Sequence, residues 1–137
     1  NIVPIICEVA SGKRDKLVIN GNDYNTNDGS CVRDYIHVED LADAHIKALK
    51  YCIKNKNKSI FNLGIGKGVS VKELVKLFQK TNNKKIKFEY GPRRSGDIAE
   101  IYSDTKKSNK ILNWSAKKTV KQALISSWNW ELQKHKK

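Results

Sequence analysis

A chain of 137 residues is long enough to form one domain with a packed core. The sequence contains no apolar run near the roughly 20 residues that a membrane-spanning helix needs and no secretory leader pattern, so it predicts a soluble protein. A net charge of +13 would suit nucleic-acid binding, but residues 1–50 carry a net −2 and residues 51–137 a net +15, so the excess is local.

Hydrophobic periodicity predicts an alternation of helices and strands along the chain. Apolar residues spaced three or four apart predict the helices, and short apolar runs predict the strands. In chain order, the predicted elements are a helix at 3–9, strands at 16–20 and 32–38, a helix at 39–53, a strand at 60–63, a helix at 71–79, strands at 85–90 and 99–103, and helices at 105–112 and 120–133. With no internal repeat and no domain boundary, this alternation predicts a single α/β domain over residues 1–137.

Several residues mark where these elements begin and end. Pro4 suits the first turn of the first helix, because the N–H that proline lacks has no helical partner there. Ser70 and Glu73 form a capping-box pattern at the start of the third helix. The segment 21–30 reads GNDYNTNDGS, and its glycine, asparagine and aspartate residues predict a polar loop.

The loop between the strands at 85–90 and 99–103 holds charged side chains that suit a ligand: Arg93, Arg94 and Asp97. The planar fork of arginine matches phosphate oxygens, and a carboxylate can accept hydrogen bonds from sugar hydroxyls. The three side chains therefore suit a nucleotide diphosphate. A surface Arg–Asp pair fits the loop equally well.

The segment at 33–42 reads RDYIHVEDLA and joins a strand directly to an amphipathic helix. Taken singly, Arg33 and Tyr35 suit pairing with neighbours, and His37 suits a structural histidine with satisfied hydrogen bonds. As an ordered string, the segment resembles a signature of the extended short-chain dehydrogenase/reductases that act on nucleotide sugars.

Within that group, the rest of the chain resembles the UDP-glucose 4-epimerases. The landmarks found in the same order are NIVP at 1–4, GKRD at 12–15, GNDY at 21–24, DG at 28–29, NLG at 62–64 with Gly66 and Gly68, SV at 70–71, PRR at 92–94 with GD at 96–97, and LNW at 112–114. This series covers nearly the whole chain. GNDY followed by DG and RDY distinguishes the 4-epimerases from related dehydratases and decarboxylases.

The resemblance implies the C-terminal, substrate-binding domain of such an enzyme, with the N-terminal Rossmann part absent. The intact protein would be a cytoplasmic, homodimeric isomerase of galactose metabolism that uses NAD to interconvert UDP-glucose and UDP-galactose. The catalytic tyrosine, lysine and serine and the NAD-binding loop would precede Asn1, so we expect no catalytic or cofactor-binding residue and no activity in this chain alone. Another nucleotide-sugar dehydratase, decarboxylase or epimerase of the same family is the alternative.

The resemblance also implies roles for residues of this chain. Arg33 and Arg94 match the diphosphate clamp, with Tyr35 as a weaker candidate. Asp97 matches the acceptor for the ribose hydroxyls. The remaining substrate-binding positions would cradle the uridine and the sugar, and these are Asn1, Ile2, Val3, Val18, Ile19, Asn20 and Ile101.

Two of these positions depart from the family pattern. Asn20 stands where these epimerases usually have an aromatic residue, so a ring contact with uracil is not expected. Ile101 stands where the family sets the size of the sugar pocket. A tyrosine there restricts the substrates to UDP-glucose and UDP-galactose, whereas a small residue admits N-acetyl sugars. Isoleucine is intermediate, which leaves the range of sugars open.

Two short strings imitate catalytic motifs. Tyr102 and Lys106 have the Tyr-x-x-x-Lys spacing, but at this lysine content such a match arises readily by chance. The string GIGKG at 64–68 lacks the third glycine of GxGxxG, and no acidic residue closes a second strand about 20 residues later. This string predicts a structural turn.

The lysines and cysteines set expectations about partners and compartment. The 23 lysines lie mostly in short runs, such as those at 54–58 and 134–137, which are typical of loops and helix ends. We therefore expect no nucleic-acid partner, and a basic nucleic-acid-binding module is the alternative from another class. The cysteines are odd in number and too far apart for a CxxC metal or redox motif, which predicts no metal site and reduced thiols; they are Cys7, Cys31 and Cys52.

The chain begins at Asn1 and contains no methionine, so a fragment of a longer enzyme is expected. Such a fragment would expose apolar surface that the rest of the enzyme covers, and we expect it to self-associate.

Overall fold

Five helices and two short sheets make up the fold over residues 1–134, which the computed structural model describes. Residues 135–137 lie outside the described residues. The prediction that lysine runs lie at loops and helix ends therefore has no outcome for most of the run at 134–137. In chain order, the elements are α1 (Ile2–Ala10), β1 (Leu17–Asn20), β2 (Val32–Arg33), α2 (Val38–Asn55), β3 (Val69–Ser70), α3 (Val71–Asn82), β4 (Phe88–Gly91), α4 (Lys106–Leu112) and α5 (Val120–Gln133). The predicted α/β class is confirmed, and each predicted helix is present within three residues at either end.

Two strand pairs form the framework from which the loops extend. Strands β1 and β4 are parallel, with Leu17 opposite Phe88 and Asn20 opposite Gly91. Strands β2 and β3 are antiparallel and two residues long. Because β1 and β4 run in the same direction, their carboxyl ends meet at one edge, which is where open α/β sheets usually bind ligands.

The larger hydrophobic core lies between α1, α3, α5 and β1. The rings of Phe78 and Trp128 pack edge to face with their centroids 6.0 Å apart, an arrangement that aromatic pairs favour. Burying a large apolar side chain contributes on the order of 1.5–3 kcal/mol to the free energy of unfolding. The buried members of this core are Ile6, Cys7, Val9, Leu17, Ile19, Leu74, Val75, Phe78, Ile86, Leu124 and Trp128.

A smaller core joins α2 to α4 and to the segment that follows α4. Its buried members are Ala44, Leu112 and Trp114. Beside it, the buried Asp40 carboxylate accepts hydrogen bonds from the backbone N–H groups of Lys117, at 3.1 Å, and Lys118, at 2.8 Å. These bonds satisfy a charge at the start of α2 and fix the segment that leads into α5.

Side chains cap α2 and α3. The Ser70 hydroxyl accepts from the N–H of Glu73 at 3.0 Å, and the Glu73 carboxylate accepts from the N–H of Ser70 at 2.9 Å, so the predicted capping box is confirmed. At the start of α2, His37 Nδ1 accepts from the N–H of Glu39 at 3.1 Å, and His37 Nε2 lies 2.9 Å from Ser126 Oγ. His37 is therefore the satisfied structural histidine that the sequence predicts.

The prediction of a strand at 60–63 was wrong. Ile60 is 84% exposed, and its carbonyl accepts a hydrogen bond from Lys107 Nζ at 2.7 Å. The Phe61 ring packs edge to face on Tyr51, with the centroids 5.7 Å apart. The apolar run packs part of its side chains against α2, and within the described residues no neighbouring strand supplies the backbone hydrogen bonds of a sheet.

The strands predicted at 32–38 and 99–103 were also wrong in extent. The first stops at Arg33, and the second is reduced to a single parallel bridge between Glu100 and Val32. The chain turns toward α2 after Arg33, so β2 offers only two residues for pairing. Because β2 is so short, it also limits how much of the segment at 99–103 can pair with it.

Candidate functional site

A cleft of about 480 Å³ lies between the start of α1, strand β1 and the loop after β4. It gathers nine of the eleven substrate-binding residues predicted from the sequence, although they come from widely separated segments. Those nine are Asn1, Ile2, Val18, Ile19, Asn20, Arg33, Tyr35, Arg94 and Asp97. The other lining residues are Ile5, Arg14, Leu17, Cys31 and Val71.

The guanidinium of Arg33 is oriented by the protein itself. Its Nη1 donates to the carbonyl oxygens of Val32, at 2.8 Å, and Ile98, at 2.7 Å. Its Nη2 lies 3.4 Å from Asp97 Oδ1, and each of these two side chains is 27% exposed. The Arg33 Nε makes no hydrogen bond within residues 1–134 and so keeps an unused donor.

Arg94 supplies a second cation to the cleft. Its side chain is exposed and forms no hydrogen bond or ion pair with the described residues. The N–H of Asp97 donates to the carbonyl of Arg94 at 3.1 Å, which closes a turn between them. Gly96 suits that turn because its φ of +82° is one that other residues rarely adopt. The turn thus carries a free cation and a carboxylate that both line the cleft.

The hydroxyl of Tyr35 is buried and has no hydrogen-bond partner within the described residues. Burial is the main cause that raises the pKa of Tyr35 to about 12, so the phenol stays protonated at neutral pH. A buried hydroxyl without a partner is costly. Tyr35 lines the cleft, but its hydroxyl is buried, so a ligand contact by Tyr35 stays a prediction that rests on the resemblance.

Arg93 is separated from the other two charged side chains of its loop. It does not line the cleft but turns toward the loop after β1, where its Nε donates to Asp23 Oδ1 at 2.8 Å. That hydrogen bond lowers the pKa of Asp23. The three side chains that the sequence places in one loop thus divide between two sites.

Val3 and Ile101 do not line this cleft. Successive helical residues point in directions about 100° apart. Ile2 therefore lines the cleft, while Val3 lines a neighbouring cleft of about 730 Å³ beside α5. Ile101 is 51% exposed, and its N–H donates to the carbonyl of Val32 at 3.1 Å. Ligand contacts by Val3 and Ile101 stay predictions that rest on the resemblance alone.

Arg14 and Cys31 also line the cleft, although neither was predicted as a substrate-binding residue. Arg14 belongs to the GKRD landmark, and its Nε donates to Glu8 Oε2 at 2.9 Å. Cys31 is a buried, free thiol directly before β2. Position in the GKRD landmark was the one sequence signal that pointed to Arg14.

The loop at 21–30 is braced by Asp28. Its carboxylate accepts from the backbone N–H of Ser30 at 2.9 Å, from the Ser30 hydroxyl at 2.6 Å and from the Ser70 hydroxyl. The Lys72 ammonium donates to the backbone carbonyl of Asp28. Burial acts to raise the pKa of Asp28, but the hydrogen bonds outweigh it and hold the pKa below its usual value. These bonds tie the loop to the start of α3.

The glycine-rich segment at 64–68 forms a structural turn, as the sequence predicts. The Asp34 carboxylate accepts from the N–H groups of Ile65, at 2.9 Å, and Gly66, at 3.0 Å. A Cβ on Gly64 would lie 2.2 Å from Asp34 Oδ2. The N–H groups that a dinucleotide phosphate would need are already bound to a carboxylate, which would also repel it. This turn therefore does not fit NAD.

Tyr102 and Lys106 do not share a helix face. Helix α4 begins at Lys106, and Tyr102 lies in the segment before it. In the part of the chain that the structure describes, no three His, Cys, Asp or Glu side chains come together as a metal site. No helix between residues 1 and 134 is long and apolar enough to cross a membrane.

The fold is an α/β domain with a cleft lined by three arginines and an aspartate. A family model described as GDP-mannose 4,6 dehydratase matches residues 1–126. The chain belongs to that family.

Several characterised proteins resemble the chain closely. It is 43% identical over 131 residues to a UDP-glucose 4-epimerase of Bacillus subtilis, an alignment that covers 96% of this chain and 39% of that protein. A UDP-glucose 4-epimerase from Stenotrophomonas maltophila, solved with bound NAD and formylated UDP-arabinopyranose, superposes with a TM-score of 0.95 at 37% identity, over 99% of this chain and 40% of that one. The enzyme from Bifidobacterium longum, in complex with NAD+ and UDP, gives a TM-score of 0.88 at 40% identity, over 97% of this chain and 39% of that one.

The resemblance predicted from the ordered motifs is confirmed by these relatives. The chain spans about 40% of the length of the proteins it matches, roughly their C-terminal part.

Proposed function

We propose that residues 1–137 form the UDP-sugar-binding domain of an enzyme that interconverts UDP-glucose and UDP-galactose with NAD. The observation that carries this proposal is the cleft of about 480 Å³, which collects nine predicted ligand contacts from distant parts of the chain. The similarity to an epimerase solved with NAD+ and UDP supports the same class of ligand here.

The diphosphate lies between Arg33 and Arg94 in this proposal. Arg33 is held by two backbone carbonyls, so little conformational entropy is lost when it binds a phosphate. Arg94 is exposed and without a side-chain partner among the described residues, so its donors are free. A hydrogen bond to a charged group contributes about 1.5–3 kcal/mol, which makes this pair the main source of affinity.

Asp97 accepts hydrogen bonds from the ribose hydroxyls. Its carboxylate has one hydrogen-bond partner within residues 1–134, Arg33 at a long 3.4 Å, and therefore keeps acceptor capacity for a ligand. Tyr35 contributes to the wall of the cleft and is the weaker candidate for a contact with the diphosphate.

The uridine and the sugar are cradled by the end of β1 and the start of α1. Val18 is 46% exposed and provides an apolar wall. Asn20 lies at the carboxyl end of β1 and offers polar atoms in place of an aromatic ring. Asn1, Ile2 and Ile19 complete this wall of the cleft. Val3 and Ile101 are proposed to contact the sugar end of the ligand.

NAD is bound by the part of the enzyme that lies outside this chain. When bound, NAD would supply reversible oxidation at sugar C4, and return of the hydride to the opposite face of that carbon would invert it. The described residues hold the nucleotide end of the substrate, and the turn at 64–68 is occupied by Asp34. The catalytic base and its lysine are likewise placed outside this chain.

A cytoplasmic homodimer is the proposed form of the intact enzyme. The three cysteines are free thiols, which is typical of a reducing compartment. The homodimer rests on the resemblance to the epimerases, and sedimentation equilibrium of the intact protein tests it.

Turnover of UDP-galactose tests the activity. The intact protein with NAD should produce UDP-glucose, identified by proton NMR of the product, and residues 1–137 alone with added NAD should produce none. Production of a dehydrated or decarboxylated sugar by the intact protein would favour the alternative chemistries of the family. Turnover by residues 1–137 alone would contradict the placement of the catalytic groups outside this chain.

A further inference from the structure

Arg93 and Arg94 are neighbours in the chain, but their side chains lie in different parts of the domain. Arg94 lines the cleft, whereas Arg93 binds the loop after β1. The Arg93 Nε donates to Asp23 Oδ1 at 2.8 Å, and its Nη2 donates to the backbone carbonyl of Asp23 at 2.6 Å. The guanidinium carbon lies 4.5 Å from the centroid of the Tyr24 ring. Arg93 therefore grips two consecutive residues of another loop.

The backbone at Gly21 leaves room for the side chains of Arg93 and Tyr24. The N–H of Gly21 donates to the carbonyl of Gly91 at 2.9 Å, which extends the pairing of β1 and β4 by one step. Gly21 has a φ of +78°, and a Cβ there would lie 2.4 Å from Tyr24 Cε2 and 3.0 Å from Arg93 Cγ. A side chain at Gly21 would thus displace both the Tyr24 ring and Arg93.

The loop at 92–97 has few other attachments among the described residues. Its second half is tied by the hydrogen bond between the N–H of Asp97 and the carbonyl of Arg94 and by the contact of Asp97 with Arg33. Its first half is exposed, and Arg93 supplies its side-chain hydrogen bonds to the rest of the domain. The position of the Arg94 backbone therefore depends on Arg93.

We propose that Arg93 is a positioning residue that holds Arg94 over the cleft by gripping Asp23 and Tyr24. The inference rests on the proposed function, since it concerns the diphosphate that Arg94 binds. A mobile loop would have to be ordered when UDP binds, and that ordering would weaken affinity. Because Arg93 holds the loop in place before UDP binds, loss of its contacts with Asp23 and Tyr24 should raise KM and leave kcat unchanged.

A competing role for Arg93 is direct attraction of the diphosphate by its charge. The two roles predict opposite effects for Asp23→Ala. If Arg93 acts by charge alone, removal of the carboxylate leaves more positive potential near the phosphates, and UDP binds more tightly. If Arg93 positions the loop through Asp23, the same substitution weakens UDP binding.

The test is titration calorimetry of the intact protein with UDP, for the wild type, Arg93→Ala, Asp23→Ala and the double variant. Exposed ion pairs have small energies, so each single variant should bind UDP about three- to fivefold more weakly. The double variant should bind no more weakly than either single variant, because both break the same contact. KM for UDP-galactose should rise by the same factor, with kcat and the melting temperature unchanged.

The Lys16 and Glu89 pair is a matched control. It joins the residue before β1 to β4 at 2.6 Å, with side chains 53% and 47% exposed, compared with 51% and 67% for Arg93 and Asp23. Lys16→Ala and Glu89→Ala should leave UDP affinity unchanged. Wild-type affinity in Arg93→Ala, or tighter binding in Asp23→Ala, would overturn the positioning role. A wild-type protein that binds no UDP would instead overturn the proposed function.

Discussion

Arg33 and Asp97 are 64 residues apart in the chain, and their side chains approach to 3.4 Å at the cleft. Arg33 is also held by the carbonyl oxygens of Val32 and Ile98, whereas Arg33 is the one hydrogen-bond partner of the Asp97 carboxylate within residues 1–134. The arginine therefore keeps its orientation if the carboxylate is lost. We therefore expect the loss of Asp97 to weaken ligand binding more than it lowers stability.

Asp97→Asn should weaken UDP binding about tenfold, because the ribose hydroxyls lose a charged acceptor. The free energy of unfolding should change by less than about 0.5 kcal/mol, since the ion pair is long and partly exposed. Calorimetry with UDP and urea unfolding measure the two effects. Asp15→Asn, at an exposed position outside the cleft, is the control. Unchanged UDP affinity in Asp97→Asn would remove Asp97 from the proposed site.

His37→Ala should destabilise the domain by about 1–2 kcal/mol. The substitution removes the acceptor for the N–H of Glu39 at the start of α2 and the contact with Ser126 that joins α2 to α5. Urea unfolding of the chain measures the change. His45→Ala is a matched control on the exposed side of α2, where a loss below about 0.5 kcal/mol is expected. Equal losses in both variants would contradict the capping role of His37.

Acid should remove the contribution of Asp28 to stability. Burial acts to raise the pKa of Asp28, but the hydrogen bonds from Ser30 and Ser70 together lower it by a larger amount. The folded-state pKa therefore lies below the usual 3.8. A carboxyl group with a depressed folded-state pKa stabilises the protein above its unfolded-state pKa. That stabilisation is lost as the pH falls through the folded-state pKa.

Asp28→Asn should therefore be less stable than the wild type near neutral pH, and the difference should shrink below about pH 4. Denaturant unfolding at a series of pH values measures it. Asp15→Asn should show no comparable difference at any pH. A difference that grows as the pH falls would contradict the sign of the shift.

An exposed apolar face on α2 should make the isolated chain self-associate. Ile46, Leu49 and Ile53 are 53%, 62% and 69% exposed and lie on one side of the helix. Leu49→Lys combined with Ile53→Lys should reduce association in sedimentation velocity and reduce the binding of a hydrophobic dye. Lys50→Ala is the control on the same helix. A wild-type chain that is monomeric and binds no dye would contradict this expectation.

Much of the helical structure could be predicted because its signals are local. The Ser70 and Glu73 capping box and the 3.6-residue spacing of α5 require no knowledge of distant contacts. The strands were less predictable. An apolar run such as 60–63 becomes a strand only where a partner supplies backbone hydrogen bonds, and no local pattern reveals that partner.

The placement of Arg33, Arg94 and Asp97 in one cleft could be predicted because each carries a charge and belongs to a family motif. The different surroundings of Arg93 and Arg94 could not be predicted, because Arg93 binds Asp23, which lies in a loop 70 residues earlier in the chain. The orientation of Val3, on the neighbouring cleft, likewise depends on how α1 is rotated against α5.

Titration calorimetry of the intact protein decides whether the cleft binds the diphosphate of UDP. We expect one UDP bound per chain and an affinity for UDP about 10- to 100-fold weaker in Arg94→Ala. The same variant should bind uridine, which lacks phosphates, as the wild type does. Lys121→Ala, at an exposed position outside the cleft on α5, should bind UDP as the wild type does. Tight binding of single-stranded RNA that falls steeply with salt, with no preference for UDP, would contradict a UDP site in this cleft.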